Sequence, residues 1–252
     1  MIENSKEQNK VPTIEELKEL MCIPDDVCSE DKLENIFAEI ADILLFHAEI
    51  NIGEGISYTI EEIEFYYFKN RCFNGPIYSC TYPRNCKPSD FFFHYSGVDI
   101  CFQSTEESFG GVLIRSIKRV RDSKKELIGG PMRCAMELLN TCIQTGNTME
   151  LIVNEYRIKT GNRQTTIRQG IAADYEIKEG EVQSKVQYCY FIPQDNQKWI
   201  GTRNQKIEQY KLKKESSSTK IITKNDLNYN YLDNPEARIS RLTPKPQDNS
   251  TF

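Results

Sequence analysis

Apolar residues recur along this chain with two different periods. Leu33, Ile36, Phe37, Ile40, Ile43, Leu44 and His47 fall three or four apart, which predicts a helix from Glu30 to His47 with one buried stripe. A shorter helix precedes it, because Thr13 followed by Glu16 forms a capping-box pattern that opens a helix to about Met21. From Ile50 the period changes. The run GISYTIEEIEFYYF alternates as a strand does, and a loop rich in Cys, Gly and Pro follows over 70–90. Phe91 to His94, Val98 to Phe102 and Val112 to Ile117 read as strands, the first two joined at Ser96-Gly97. Gly129-Gly130-Pro131 then breaks the chain before a helix to about Cys142, with Pro131 suited to its first turn. Met149 to Tyr156 fits a helix, Ile167 to Ile177 fits either a strand or a helix, and Lys185 to Ile192 fits a strand.

Strands and helices mix without a repeating βαβ order. The expected fold is therefore α+β, a mixed and largely antiparallel curved sheet with surrounding helices. The expected division is a disordered N-terminus (1–12), one domain (13–213) and a polar C-terminal tail (214–252), the tail marked by SSSTK and TPKPQDNS.

Composition changes this picture in three places. No apolar run approaches the ~20 residues that span a bilayer, and the start MIENSKEQNK has no apolar signal core, so the expected location is cytoplasmic. The net charge of -5 argues against a general nucleic-acid binder, but it hides an asymmetry. Residues 1–64 hold 17 acids and 4 bases, whereas the rest hold 20 acids and 28 bases, which permits a basic working face. Nine cysteines, an odd count with no CxxC spacing, read as reduced and mostly buried thiols. A zinc site would need Cys72, Cys80 and Cys86 with His47 or His94, and that spacing does not favour one.

The candidate chemistry lies in two apolar runs. Glu64 sits inside TIEEIEFYYF and Arg115 inside GGVLIRSI, so an acid and an arginine are each set in strand-like, apolar surroundings. Burying a charge costs several kcal/mol unless it is paired or used, so the two form either a structural ion pair or a working site.

Four pieces resemble the alkyladenine (3-methyladenine) DNA glycosylase family: EIEFYY around Glu64, YPRN at 82–85, the pair SGVDICFQ and VLIRS, and GGPMRCAMEL. The family shows an acid-x-acid-small-Tyr strand, a TPRN loop, an aromatic run ending in Tyr-Gly, a Leu-Leu-Arg-Ala strand and a Gly-Pro before a helix. Order and approximate spacing agree over residues 40–140. The resemblance implies a glycosylase-like fold and excision of alkylated purines from DNA, a base-excision-repair activity with no cofactor, by a protein expected to be a monomer. It puts Glu64 on the catalytic glutamate that deprotonates water and Arg115 on the arginine that positions it. It puts Tyr66 and Phe93 on base-stacking rings, and Gln103 on a pocket-edge asparagine. Arg84, Asn85, Ser96, Gly97, Lys118 and Arg119 become the expected nucleic-acid contacts. Ser96 stands where the family has a tyrosine that wedges into DNA, and no histidine stands in 67–82 where the family has a stacking one. Two alternatives therefore stay open: the same scaffold acting on free nucleosides, nucleotides or single strands, and a non-catalytic binding protein.

Overall fold

The computed structural model describes residues 12–193 apart from 54, 122–126, 170 and 179–180. Its elements are α1 (Ile14–Leu20), α2 (Glu30–Phe46), β1 (Ala48–Asn51), β2 (Ser57–Lys69), β3 (Phe91–His94), β4 (Gly97–Cys101) and β5 (Ser108–Arg119). There follow β6 (Leu127–Gly129), α3 (Pro131–Thr145), β7 (Glu150–Val153), β8 (Gln164–Thr166), β9 (Tyr175–Lys178), β10 (Glu181–Ser184) and β11 (Cys189–Phe191). Nine of the strands form one curled antiparallel sheet ordered β3-β4-β5-β2-β1-β7, with β6 on β5 and β11 and β8 on β2's other flank. The remaining two, β9 and β10, make a separate hairpin. The architecture is α+β with an antiparallel sheet and few helices.

The sequence signals act locally as expected at both early helices. Thr13 Oγ1 accepts the Glu16 N–H at 3.1 Å, and Ser29 Oγ caps α2 through the Lys32 N–H at 3.3 Å. The buried stripe of α2 then lies on one face of the sheet. Phe37 stacks on Phe65 of β2 with ring centroids 4.4 Å apart, and both sit beside Phe102. Ile63, Val98, Ile100, Val112 and Ile114 complete that core. Burying these side chains supplies the main drive for the fold.

Alternation puts the odd partners on the other face. Asp99 pairs with Leu113, Leu113 with Glu64, and Glu64 with Cys189, so one row of side chains crosses four strands. Register shifts on either side of Glu62 mark a bulge in β2 near the acidic residues. Helix α3 covers part of this face with Cys134, Ala135 and Leu138. Its approach requires Gly97, where an added Cβ would lie 2.9 Å from Pro131 Cβ and 3.0 Å from Leu113 Cδ1.

Three expectations change. Met149 to Tyr156 is not a helix: Glu150–Val153 pairs along β1, with Leu151 opposite Ile50, because the free edge of β1 offers backbone partners. The segment 167–177 is mostly irregular, with one short 3-10 turn at Ala172–Asp174 before β9. Arg168, Gln169 and Asp174 within it are held by polar contacts rather than by a period. The strand expected over 185–192 shrinks to Cys189–Phe191. The expected disordered segment 1–12 and the tail 214–252 lie almost wholly or entirely outside the described residues, as does the domain end at 213.

The thiol expectation also fails at one pair. Cys28 and Cys72 form a disulfide with Cα atoms 5.2 Å apart, which also removes Cys72 from any zinc set. The α1–α2 loop is drawn to that place by Lys69, a buried lysine whose Nζ donates to the carbonyls of Pro24, Asp25 and Val27 at 3.1, 2.7 and 3.2 Å. Substituting Lys69→Met takes a donor from each of the three carbonyls and should lower the unfolding free energy by about 2 kcal/mol in urea titration. Alkylation of the denatured protein without reductant should label the seven free cysteines, and the other two only after reduction. Among the described residues, no helix is long and apolar enough to cross a membrane.

Candidate functional site

Glu64 stands at the middle of β2 with its side chain fully buried. Its Oε2 accepts from the Tyr66 hydroxyl at 2.9 Å and from Arg115 Nη1 at 3.1 Å, and its Oε1 accepts the Gln169 backbone N–H at 2.7 Å. Tyr66 is two residues along the same strand face, and Arg115 is two residues beyond Leu113, the direct partner of Glu64. Pleating therefore brings all three together. The structure unites Glu64, Arg115 and Tyr66 within hydrogen-bonding contact.

Sequence reasoning missed the rest of the cluster. Glu62 accepts from Arg115 Nε at 3.2 Å, and Cys189 Sγ donates to Glu62 Oε1 at 3.2 Å. Arg115 Nη2 donates to Gln169 Oε1 at 2.7 Å. Glu62 was readable, since it is two residues from Glu64 in the same strand. Gln169 and Cys189 reach the site only through pairings distant in sequence. Burial would lower the Arg115 guanidinium, but Glu64 and then Glu62 outweigh it and hold the arginine above its ordinary value. Burial, followed by the charge of Glu64, pushes the Tyr66 hydroxyl well above the usual phenol range. Burial likewise pushes the Cys134 thiol of α3 up to about 12, against the lowering effect of Arg115.

Glu62, Glu64 and Cys189 bring potential metal ligands within 4.8 Å of one another, all buried. The cation already bound between the two carboxylates is the Arg115 guanidinium, whose Nε and Nη1 each serve one of them. A metal ion at that position would have to displace it.

A second buried cation supports the site from below. Arg168 Nε and Nη2 meet Asp174 at 2.8 and 2.7 Å, while Nη1 and Nη2 reach the carbonyls of Phe65 and Ile77 at 3.0 and 2.7 Å. Its guanidinium lies 4.6 Å from the centre of the Tyr66 ring. One face of that ring is therefore taken, and the ring as a whole is half-buried.

Other expected site residues lie elsewhere. Phe93 pairs with Val98 and packs into the hydrophobic core on the face opposite Glu64, so it cannot share a base slot with Tyr66. Strand parity gives that face to Phe92 and His94 instead. Gln103 binds the carbonyls of Met21 and Ser104, at 2.9 Å through its N–H and 2.8 Å through Nε2. Arg84 is enclosed rather than offered to a phosphate, with its side chain 1% exposed and Nη1 2.5 Å from Asp99 Oδ2. Asp99 also holds His94 Nε2 at 3.1 Å. Asn85 is exposed. Ser96 shares a 3.3 Å contact with the Tyr82 hydroxyl, and Gly97 is buried under Pro131. Lys118 and Arg119 are consecutive residues at the end of β5 and so alternate to opposite faces, the charge of Lys118 acting on Lys159 and Arg119 lining a groove beside α3.

The chain matches no protein-family model, no curated protein and no solved structure. Any reading of the site rests on its own geometry and on the four sequence motifs.

Proposed function

We propose that this protein hydrolyses an N-glycosidic bond, with alkylated purines in DNA as the substrate class. The observation that carries this reading is the contact of a fully buried carboxylate, Glu64, with Arg115 and with the hydroxyl of half-buried Tyr66. Such a hydrolysis needs a carboxylate to take a proton from water and to offset oxocarbenium charge, and a cation to fix the water's position. An alkylated purine already carries positive charge and departs without a separate general acid. Tyr66 offers one ring face to the base, Arg168 occupying the other. Water reaches Glu64 when the Tyr66 hydroxyl swings off Oε2, the oxygen it shares with Arg115.

Entry of a base from duplex DNA requires unstacking, which costs a few kcal/mol. With Ser96 tied to Tyr82, the residue placed to fill the gap is Tyr95, 73% exposed in the turn between β3 and β4. The experiment that tests the function is release of free base from methylated duplex DNA by the purified full chain. Release is expected, and release should weaken on Tyr95→Ser. Absence of release from duplex together with cleavage of free nucleosides would move the activity to the smaller substrates.

A second reading is favoured by one observation. Both Glu64 oxygens already have protein donors, so the cluster also fits a buried network in a binding protein without catalysis.

A further inference from the structure

The outer face of α3 exposes three large apolar side chains among its polar ones. Met132, Met136 and Ile143 are 43%, 49% and 77% exposed, and with Asn140 they fall at four- and three-residue steps along one side. The inner side carries Cys134, Ala135, Leu138 and Thr141, which are buried, so the helix shows two apolar faces and only one is covered by this chain's described residues. Beside the exposed face lies a groove of about 470 Å³ between α3 and the end of β5, lined by Arg119, Ile128, Met132, Arg133 and Met136 together with Glu137 and Asn140. Val120, 42% exposed, adjoins Arg119. Clustered exposed apolar residues of this kind mark interaction sites.

The charge around the groove selects the partner. Arg119 and Arg133 are both exposed and line the groove, Arg133 in the first turn of α3 and Arg119 beside Tyr58, whose hydroxyl meets the middle of the helix. The acid in the lining, Glu137, accepts from the Tyr58 hydroxyl at 2.8 Å and is held inward. Aliphatic and thioether side chains provide no ring for base stacking, but they suit the apolar anchors of a helix. From Met132 to Ile143 the stripe runs roughly 16 Å, about three helical turns. The chain beyond residue 193 has the wrong sign to fill the groove, with eleven bases against seven acids.

We infer that the α3 groove docks an amphipathic helix from another protein, one whose apolar anchors are flanked by acidic residues. Nothing in this depends on hydrolysis at Glu64, because no residue of the Glu64 cluster lines the groove.

The test uses the full chain and a fluorescent peptide with leucines at i, i+4 and i+7 and glutamates between them. Its companions are the same peptide with lysines for glutamates, and a single-stranded oligonucleotide. Anisotropy should show saturable binding of the acidic peptide, with at least about tenfold weaker binding of the basic one. Met136→Glu and Arg133→Glu should each weaken the acidic peptide about tenfold. Both residues are exposed, so the thermal midpoint should not move, and Glu64→Gln should bind as wild type does. The inference is overturned if the acidic peptide fails to bind, if both peptides bind alike, or if the two groove variants bind unchanged. It is overturned equally if only the oligonucleotide binds there, or if sedimentation shows the groove closed by a second copy of the chain. Loss of the inference would leave base release untouched, and loss of base release would leave the docking result standing.

Discussion

Asp174→Ala is expected to lower the unfolding free energy by about 3–5 kcal/mol, the largest stability effect of any single substitution considered. Asp174 and Arg168 are both buried, at 0% and 2% exposure, and the carboxylate takes three donors from Arg168 alone. Removing it strands a guanidinium whose charge no carboxylate then offsets, leaving it the carbonyls of Phe65 and Ile77 and the faces of the Tyr66 and Tyr188 rings. Replacing the pair together, as Arg168→Met with Asp174→Leu, removes the stranded charge and should cost less than Asp174→Ala alone. Urea unfolding of the two variants beside wild type measures the difference. A double variant less stable than the single one would show that the pair contributes more than mutual neutralisation. The site should suffer too, since the next residue, Gln169, donates to Glu64 and accepts from Arg115.

The legible part of this protein is the part governed by period. The stripe from Leu33 to Leu44 specified α2, and the alternation through Glu64 specified β2, because each pattern repeats over several turns or residue pairs. Glu64 and Arg115 could be singled out because a lone charge in an apolar strand has few explanations. Their contact follows from register, Leu113 standing opposite Glu64, and register is invisible in one sequence.

What escaped was fixed by long-range partners. Arg168 sits in a stretch with no period, and its burial depends on Asp174 six residues on and on carbonyls near 65 and 77. Phe93 was assigned by position along the chain, yet a one-residue difference in parity sends it into the core and leaves Phe92 on the Glu64 side. The Cys28–Cys72 bridge spans 44 residues, and only the Lys69 contacts that draw the first loop onto β2 make it intelligible.

Glu64→Gln carries the largest expected effect on function. The exchange keeps the side chain's shape and removes its basicity, and Arg115 retains Glu62 as a counter-charge, so the fold should persist. A general base contributes on the order of 10²–10⁴ in rate. A loss of that size is therefore expected in the turnover of bound substrate, with little change in substrate affinity. Arg115→Lys should also lower turnover, because one ammonium cannot reach Glu62, Glu64 and Gln169 together as the guanidinium does, but by less than Glu64→Gln, because the positive charge stays.

On the proposed function, Glu64 and Arg115 together form a hydrolytic water site. Its most direct test is base release from alkylated duplex DNA by wild type beside Glu64→Gln, each shown to be folded by circular dichroism. Wild type should release base, and the variant should release it at least about a hundredfold more slowly. Equal rates from the two proteins, or no release by folded wild type, would contradict it.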